Sequence, residues 1–442
     1  MYSLVLYVYM LAVNLAALFG NKKARLMVRG HRNTWRILRE KISPDDRPVW
    51  FHAASLGEFE QGRVLMERLK REQPERKILL TFFSPSGYEV RKDYEFADVV
   101  CYLPFDTMLN ARKFLRLAHP AMAIFIKYEF WADYLYQCHR RGVPVYSVSS
   151  IFRPSQIFFR WYNCGYGYVL RWVTHFFVQN EASKELLASK GLTNVTVTGD
   201  TRLDRVVQIK DNAQPLPLVE KFLGDAPKVF IAGSSWPPDE DVYLPYFAKE
   251  KGWKLIIATH EVNEERTEKL RARLAELGLN ALTYSALKEN ALSADSMKSD
   301  SMESDLMKSD SVLLIDCFGL LSSIYRYATL AYIGGGFGGG IHNVPEAAVY
   351  GLPVVFGPNN HKFQEAQDLL HCGGAFQVET PADFADLMQR LLTKSAEKNG
   401  SESHLTPPDA TYPAIAAAGR ASAAYIVASS GAADKIYRAI FV

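Results

Sequence analysis

Two carboxylates stand where chemistry is easiest to build. The run Phe51-His52-Ala53-Ala54-Ser55-Leu56-Gly57-Glu58 reads as the end of an apolar strand passing into a helix pattern. Glu58 therefore falls near a strand's carboxyl end, beside a glycine that permits close approach of a substrate. A carboxylate there suits a general base, and an acidic residue in a first helical turn is equally what any helix prefers, so the residues alone leave both readings open. Other loops after apolar runs repeat the theme: Lys127-Tyr128-Glu129-Phe130-Trp131, Ser149-Ser150-Ile151-Phe152-Arg153, Gly199-Asp200-Thr201-Arg202-Leu203-Asp204, Gly233-Ser234-Ser235 and Thr259-His260-Glu261. Serine hydroxyls beside glycine suit phosphate, and arginine suits phosphate or carboxylate in a bidentate fork. His260 by itself is more ordinary as a structural residue; its company at one end of successive strands raises its interest.

The densest signal runs from Thr329 to Pro358. It predicts a buried strand from Leu330 to Ile333, a loop with six glycines among seven residues, a helix from Val344 to Tyr350 and a second strand from Leu352 to Phe356. Asn343 suits an N-cap, Pro345 a first helical turn and Gly351 the residue past the helix end. A helix start aimed at a glycine loop collects free N–H groups that favour phosphate, with Glu346 placed to accept hydrogen bonds from ribose hydroxyls. The plainer alternative is a tight turn that needs glycine only for packing. Gly334, Gly336 and Gly339 satisfy GxGxxG by letter, yet Ile341-His342-Asn343 intervene before the helix, where a dinucleotide fingerprint would open it at once. Neither a GxxxxGK[ST] loop nor HExxH nor GxSxG occurs, which argues against an ATPase and a serine hydrolase.

These loops need strands to hold them. Apolar runs alternating with amphipathic stretches predict strands at Val49–Ala53, Ile78–Phe82, Val99–Leu103, Ala121–Ile126, Val143–Val148, His175–Val178 and Val195–Thr198. The rhythm resumes at Val229–Ala232, Lys254–Ala258, Leu279–Tyr284 and Val312–Asp316 before the glycine region. That rhythm means parallel sheets covered on both faces, with ligands at the carboxyl ends of the strands. A looser, proline-bearing stretch divides the chain, predicting an N-terminal domain over 21–208, a linker over 209–228 and a C-terminal domain over 229–442. A degenerate Ser/Asp/Met/Lys repeat at 293–311 is too polar to pack and reads as a disordered insertion. The alanine-rich tail from Tyr412 reads as closing helices.

Composition sets the class. The 442 residues are 48% apolar and 22% charged, ordinary for a globular protein, and a net charge of +3 is too small to argue for nucleic acid. Five scattered cysteines without a CxxC pair suggest neither a disulfide framework nor a zinc site. Residues 1–20 predict a membrane anchor helix, since Tyr2 to Phe19 is apolar apart from Ser3 and Asn14. Lys22, Lys23, Arg25, Arg29, Arg32, Arg36 and Arg39 follow. This asymmetry predicts a cytoplasmic body whose basic segment meets anionic head groups. A spanning helix and a surface-lying helix both fit the length.

In their order and spacing, Ser55-Leu56-Gly57-Glu58, Glu129-Phe130-Trp131, Gly199 to Asp204, Gly334-Gly335-Gly336-Phe337 and His342-Asn343-Val344-Pro345-Glu346 resemble the 3-deoxy-D-manno-octulosonic acid (Kdo) transferases of lipopolysaccharide synthesis. The resemblance implies an α/β protein of the GT-B class, with two Rossmann-like domains facing a cleft. It implies an inverting enzyme at the cytoplasmic face of the inner membrane that moves Kdo from CMP-Kdo to a lipid A precursor, with no cofactor or metal. By resemblance Glu58 is the base and Glu129 a second essential acid, with Ser55, Gly57, Lys127 and Arg153 on the acceptor side. Arg202, Ser234, Ser235, His260, Gly335, Gly336, Phe337, Asn343 and Glu346 fall on the donor side. The competing readings are a UDP-sugar transferase of the same fold and a non-catalytic nucleotide- or lipid-binding membrane protein.

Overall fold

The computed structural model describes residues 2–161, 166–293, 311–394 and 412–442, in two compact units. Most of the predicted insertion, residues 294–310, lies outside the described residues.

The N-terminal unit comprises Met1–Arg205 and Ser429–Val442. Its strands are β1 (Val49–Ala53), β2 (Ile78–Phe82), β3 (Val99–Tyr102), β4 (Met122–Ile126), β5 (Val145–Ser150), β6 (His175–Val178) and β7 (Val195–Val197). They pair in parallel in the order β3-β2-β1-β4-β5-β6-β7. Side chains alternate across the sheet, so Trp50 joins the apolar cluster on one face while Val49 and Phe51 join the other. Burial on both faces is what makes these strands continuous apolar runs. The chain leaves β1 towards β2 on one side and returns to β4 on the other, so the loops after β1 and β4 diverge around a crevice, the place where open parallel sheets bind ligands.

The C-terminal unit, Val206–Ala428, repeats the plan. Its strands β8 (Val229–Ser235), β9 (Lys254–Thr259), β10 (Ala281–Thr283), β11 (Val312–Ile315), β12 (Leu330–Ile333), β13 (Val354–Phe356) and β14 (Ala375–Gln377) order as β10-β11-β9-β8-β12-β13-β14. Here the crevice opens between β8 and β12, so the glycine loop starts at the switch point.

Three expectations change. The tail does not stay with the C-terminal unit: the helix Ala432–Phe441 belongs to the N-terminal one, with Ile436 and Tyr437 buried in its core cluster. Arg68 pairs with Asp434 at 2.9 Å, and Asp204 accepts the backbone N–H groups of Gly431 and Ala433 at 2.6 and 3.0 Å. Second, the division falls at residue 205/206, inside the helix Thr201–Asn212 rather than in the proline-bearing stretch. Third, the helix after the glycine loop is only Pro345–Ala348, and Asn343 does not cap it: its amide donates to Glu346 at 2.6 Å.

At the N-terminus the apolar helix is Tyr2–Leu18, 17 residues long. At about 1.5 Å per residue it reaches roughly 26 Å, short of a hydrocarbon core of about 30 Å. No single described helix is long and apolar enough to cross a membrane. This helix and the next, Lys22–Lys41, pass that test only as a pair bent by 117°. The second helix is docked on the sheet. Thr34 donates to the Tyr102 carbonyl at 2.8 Å, and Gly30 lies so close to the Tyr102 ring that a methyl group would sit 2.2 Å from it.

Candidate active site

In the N-terminal unit the loop after β1 turns directly into the helix Leu56–Glu72, with Ser55 at its N-cap position. Glu58 is the third helical residue and reaches back, so that its Oε2 accepts the N–H groups of Ala54 (2.7 Å) and Ser55 (3.2 Å). The two readings of Glu58 are therefore both present. One oxygen satisfies helix-end donors as a capping acid does, and Oε1 has no protein hydrogen bond among the described residues. Burial, and next the charge of Glu129, push the carboxyl up to about 7, against the lowering pull of the Ala54 N–H, Lys127 and the Ser55 N–H. A carboxylate that titrates near neutrality is matched to taking a proton at physiological pH. Gly57 has nothing within 4 Å of where a Cβ would stand, so the fold does not demand glycine there. Gly57→Ala should leave Tm unchanged and raise the KM for the acceptor, a split that steady-state kinetics and thermal melts would read together.

Glu129 follows β4, the strand beside β1. Its Oε2 accepts the Trp131 indole N–H at 2.7 Å and stands 3.5 Å from His52 Nε2; the same indole nitrogen lies 3.1 Å from that Nε2. His52 is fully buried at the end of β1, and its Nδ1 meets the Thr81 carbonyl (3.1 Å) and hydroxyl (2.9 Å). A carbonyl only accepts, so Nδ1 carries the proton and Nε2 is left as an acceptor facing Trp131 and Glu129. Neither His52 nor Trp131 stood out in the sequence as a site residue. Lys127, between β4 and Glu129, holds left-handed backbone (φ 66°), as does Ser149 in β5 (φ 53°). Such strain in non-glycine residues gathers at functional sites. Lys127 Nζ lies over the Tyr128 ring, and Arg153 bonds the Tyr128 hydroxyl.

Arg202, assigned to the donor by resemblance, belongs to the N-terminal unit. Its guanidinium makes two 2.8 Å contacts with Asp200 and acts electrostatically on Tyr128. Its neighbours in the same motif are structural. Thr201 bonds the Gln61 carbonyl at 2.7 Å, and Asp204 caps the last helix.

In the C-terminal unit the glycine loop borders a pocket of about 430 Å³ between it and the start of the helix Pro237–Lys249. Asp239, fully buried, ties the two together by accepting the N–H groups of Trp236 and Gly335, both at 2.9 Å. Burial holds its carboxyl above the usual range, and those N–H bonds pull against that. His260 stacks on Trp236 (4.7 Å) and on His342 (4.3 Å), and the Trp236 indole donates to His342 Nε2 at 3.2 Å. Burial and then His260 lower the pKa of His342, which suits that accepting nitrogen. The result is a flat aromatic shelf beside backbone amides, with Phe337 on the pocket wall.

The glycines divide by role. A methyl group at Gly334 would meet the Ser234 carbonyl at 2.2 Å, at Gly335 the Gly340 carbonyl at 2.5 Å, and at Gly336 the Gly357 backbone at 2.5 Å. Packing thus accounts for these, while Gly339 has open space where a Cβ would stand and lines the pocket. Ser234 is the strained residue that Gly334 abuts (φ 53°). Ser235 departs from the phosphate role: its hydroxyl is buried against Tyr243 (2.9 Å) and Glu240 (3.3 Å), and the β8 register shifts between Gly233 and Ser235. Glu346 is half-buried and bonded to Asn343.

Two seven-stranded parallel sheets in one chain, each with polar groups gathered at its switch point, define the GT-B fold. A UDP-GlcNAc 2-epimerase from Neisseria meningitidis, solved with UDP-GlcNAc bound, shares this fold at a TM-score of 0.54 with 12% identity, over 87% of this chain and all of its own. Residues 25–205 match the family model described as 3-deoxy-D-manno-octulosonic-acid transferase (kdotransferase). The chain is similar beyond that segment. It is 25% identical to the 3-deoxy-D-manno-octulosonic acid transferase of Aquifex aeolicus over 81% of its length and 90% of that protein's. Against the Rickettsia felis transferase it is also 25% identical, over 78% and 71% respectively.

Proposed function

We propose that this enzyme transfers Kdo from CMP-Kdo to a sugar hydroxyl of a lipid A precursor, with inversion at the anomeric carbon. The observation that carries the reading is Glu58: a half-anchored carboxylate with one free oxygen, titrating near neutrality, at the switch point of a unit whose residues 25–205 match the Kdo transferase family model. Glu58 Oε1 takes the acceptor hydroxyl's proton as that oxygen bonds to the anomeric carbon of Kdo. The bond from that carbon to the CMP phosphate breaks on the opposite face, and CMP leaves with the electron pair. Glu129, beside Lys127, belongs to the acceptor side. The C-terminal pocket suits the nucleotide, with its aromatic shelf for a base and the exposed glycines for close approach of phosphate.

The same proposal places the body at the cytoplasmic face of the inner membrane. The helix Tyr2–Leu18 keeps Leu11, Leu18 and neighbouring Phe19 more than 60% exposed, and the basic helix that follows is turned back on the unit. This suits a helix lying in one leaflet better than a span.

Purified full-length chain incubated with CMP-Kdo and a tetraacylated, diphosphorylated glucosamine disaccharide should yield product heavier by Kdo in mass spectrometry, with CMP and not UDP as the competing nucleotide. Absence of Kdo addition, or inhibition by UDP alone, overturns the reading. Glu346→Ala should weaken CMP-Kdo binding by about 10-fold, the worth of one hydrogen bond to a charged group, and leave lipid binding unchanged in calorimetry.

A further inference from the structure

The helix that carries Glu58 also carries Gln61, one turn on and on the same side. Gln61 is fully buried, and its amide Nε2 donates at 2.9 Å to Oδ1 of Asp200, 139 residues further along the chain. A carboxylate only accepts, which fixes the amide nitrogen on that side and turns Oε1 away, where it is buried without a hydrogen-bond partner. A buried acceptor left unmatched is destabilising, and an apolar side chain of similar size would avoid it. The contact with Asp200 is what the amide serves.

Asp200 divides its two oxygens. Oδ1 takes the Gln61 amide and the Arg202 backbone N–H, both at 2.9 Å, and Oδ2 takes the Arg202 guanidinium through Nε and Nη2, both at 2.8 Å. Gln61 thus sets the rotation of the carboxylate, and the carboxylate sets the guanidinium. The backbone beneath is held as well. The Thr201 hydroxyl gives its one proton to the Gln61 carbonyl at 2.7 Å, so the Ser149 hydroxyl, 2.7 Å from it, donates to Thr201 and accepts the Thr201 N–H at 3.3 Å. Ser149, with its left-handed backbone, is fixed in turn by the Gln179 amide, which donates to its carbonyl at 2.9 Å.

These contacts join the helix of the candidate base to a cation. Glu58 and Arg202 both act electrostatically on the Tyr128 hydroxyl, so the carboxylate and the guanidinium stand near one phenol. A guanidinium fixed in advance meets a substrate anion without first having to be ordered, and its charge then counts in full. We propose that Gln61 is a positioning residue for the transfer: buried away from substrate, it holds the Arg202 guanidinium, through Asp200, at a set place beside the helix that carries Glu58. The use of the guanidinium rests on the transfer reading given above; the Gln61–Asp200–Arg202 clasp is a property of the protein alone and is tested without substrate.

The test reads Arg202 directly. Phenylglyoxal adds to guanidinium groups, and its rate at Arg202 is followed in the full-length chain by mass spectrometry of the digested protein. Gln61→Leu, close in size and without polar atoms, should raise that rate by about 10-fold, the worth of one hydrogen bond to a charged group, and move Tm by no more than about 4 °C. In the transfer assay the same substitution should lower kcat/KM for CMP-Kdo by about 10-fold, yet cost nothing further once Arg202→Ala is present. Gln61→Glu serves if the Leu variant does not fold: it can donate to Asp200 only while protonated, so Arg202 reactivity relative to wild type should rise with pH. Unchanged reactivity of Arg202 in Gln61→Leu, a ratio of one at every pH in Gln61→Glu, or losses that add to those of Arg202→Ala overturn the proposal. A wild-type chain that transfers no Kdo, but whose Arg202 is unmasked by Gln61→Leu, overturns the transfer reading and leaves the clasp established.

Discussion

Glu58→Gln is expected to lower kcat by roughly 10²- to 10⁴-fold, the range a positioned general base contributes, while CMP binding stays within error of wild type. The substitution keeps shape and the hydrogen bonds to Ala54 and Ser55, since an amide oxygen still accepts. It removes only the capacity to take a proton. A base must be ionised to work. With the carboxyl pushed up to about 7 by burial and Glu129, kcat/KM should climb with pH to a shoulder near neutrality and then level. The stability sign runs the other way. The folded-state pKa lies above the ordinary 4.5, so the fold prefers protonated Glu58, and stability is lost as pH rises from about 4.5 through 7. The Gln variant escapes that loss, so its Tm at pH 8 should equal or exceed wild type although its activity is gone. A variant that is active, or inactive only because it melts early, removes Glu58 from the chemistry.

The paired gain and loss explain which parts of the molecule could be read from residues. Strands β1, β2, β6 and β12 match their predicted bounds because both faces are buried, and a run such as VWFHA or LAYI has no other use. Strand β14 went unseen: Ala375–Gln377 is three residues long and follows Gly373-Gly374, too short for any period to register. The destination of the last helix was equally invisible. Its apolar stripe is legible, but only the Asp204 carboxylate and the core around Val49 decide that it packs in the N-terminal unit. Glu58 and Glu129 were legible as loop carboxylates. What joins them is the adjacency of β1 and β4, a long-range pairing that no local spacing encodes. His52 and Trp131 were missed for that reason, although both sit inside motifs the sequence singles out. The glycine loop was overread in one respect, since three of its glycines answer to neighbouring backbone rather than to a ligand.

His52→Asn should carry the other large effect: a fall in kcat of about 100-fold, the cost of misplacing a reacting group by an ångström, with KM for CMP-Kdo unchanged. An Asn amide can still donate to the Thr81 carbonyl where Nδ1–H does, so the buried end of the side chain remains satisfied. What it lacks is the Nε2 edge that shares the Trp131 indole N–H with Glu129. Without that second acceptor the indole is free to turn with Glu129 alone, and the carboxylate loses its fixed distance from the ring. Glu129 raises the pKa of Glu58 through its charge. A Glu129 that swings away relaxes this push, so the acid limb of the pH–rate profile should move to lower pH in His52→Asn. That shift separates positioning from mere support, because a packing defect would lower Tm and the amount of active enzyme without moving the profile. An unchanged limb, with activity lost only in proportion to folded protein, would make His52 a core residue and leave Glu129 to hold its own place.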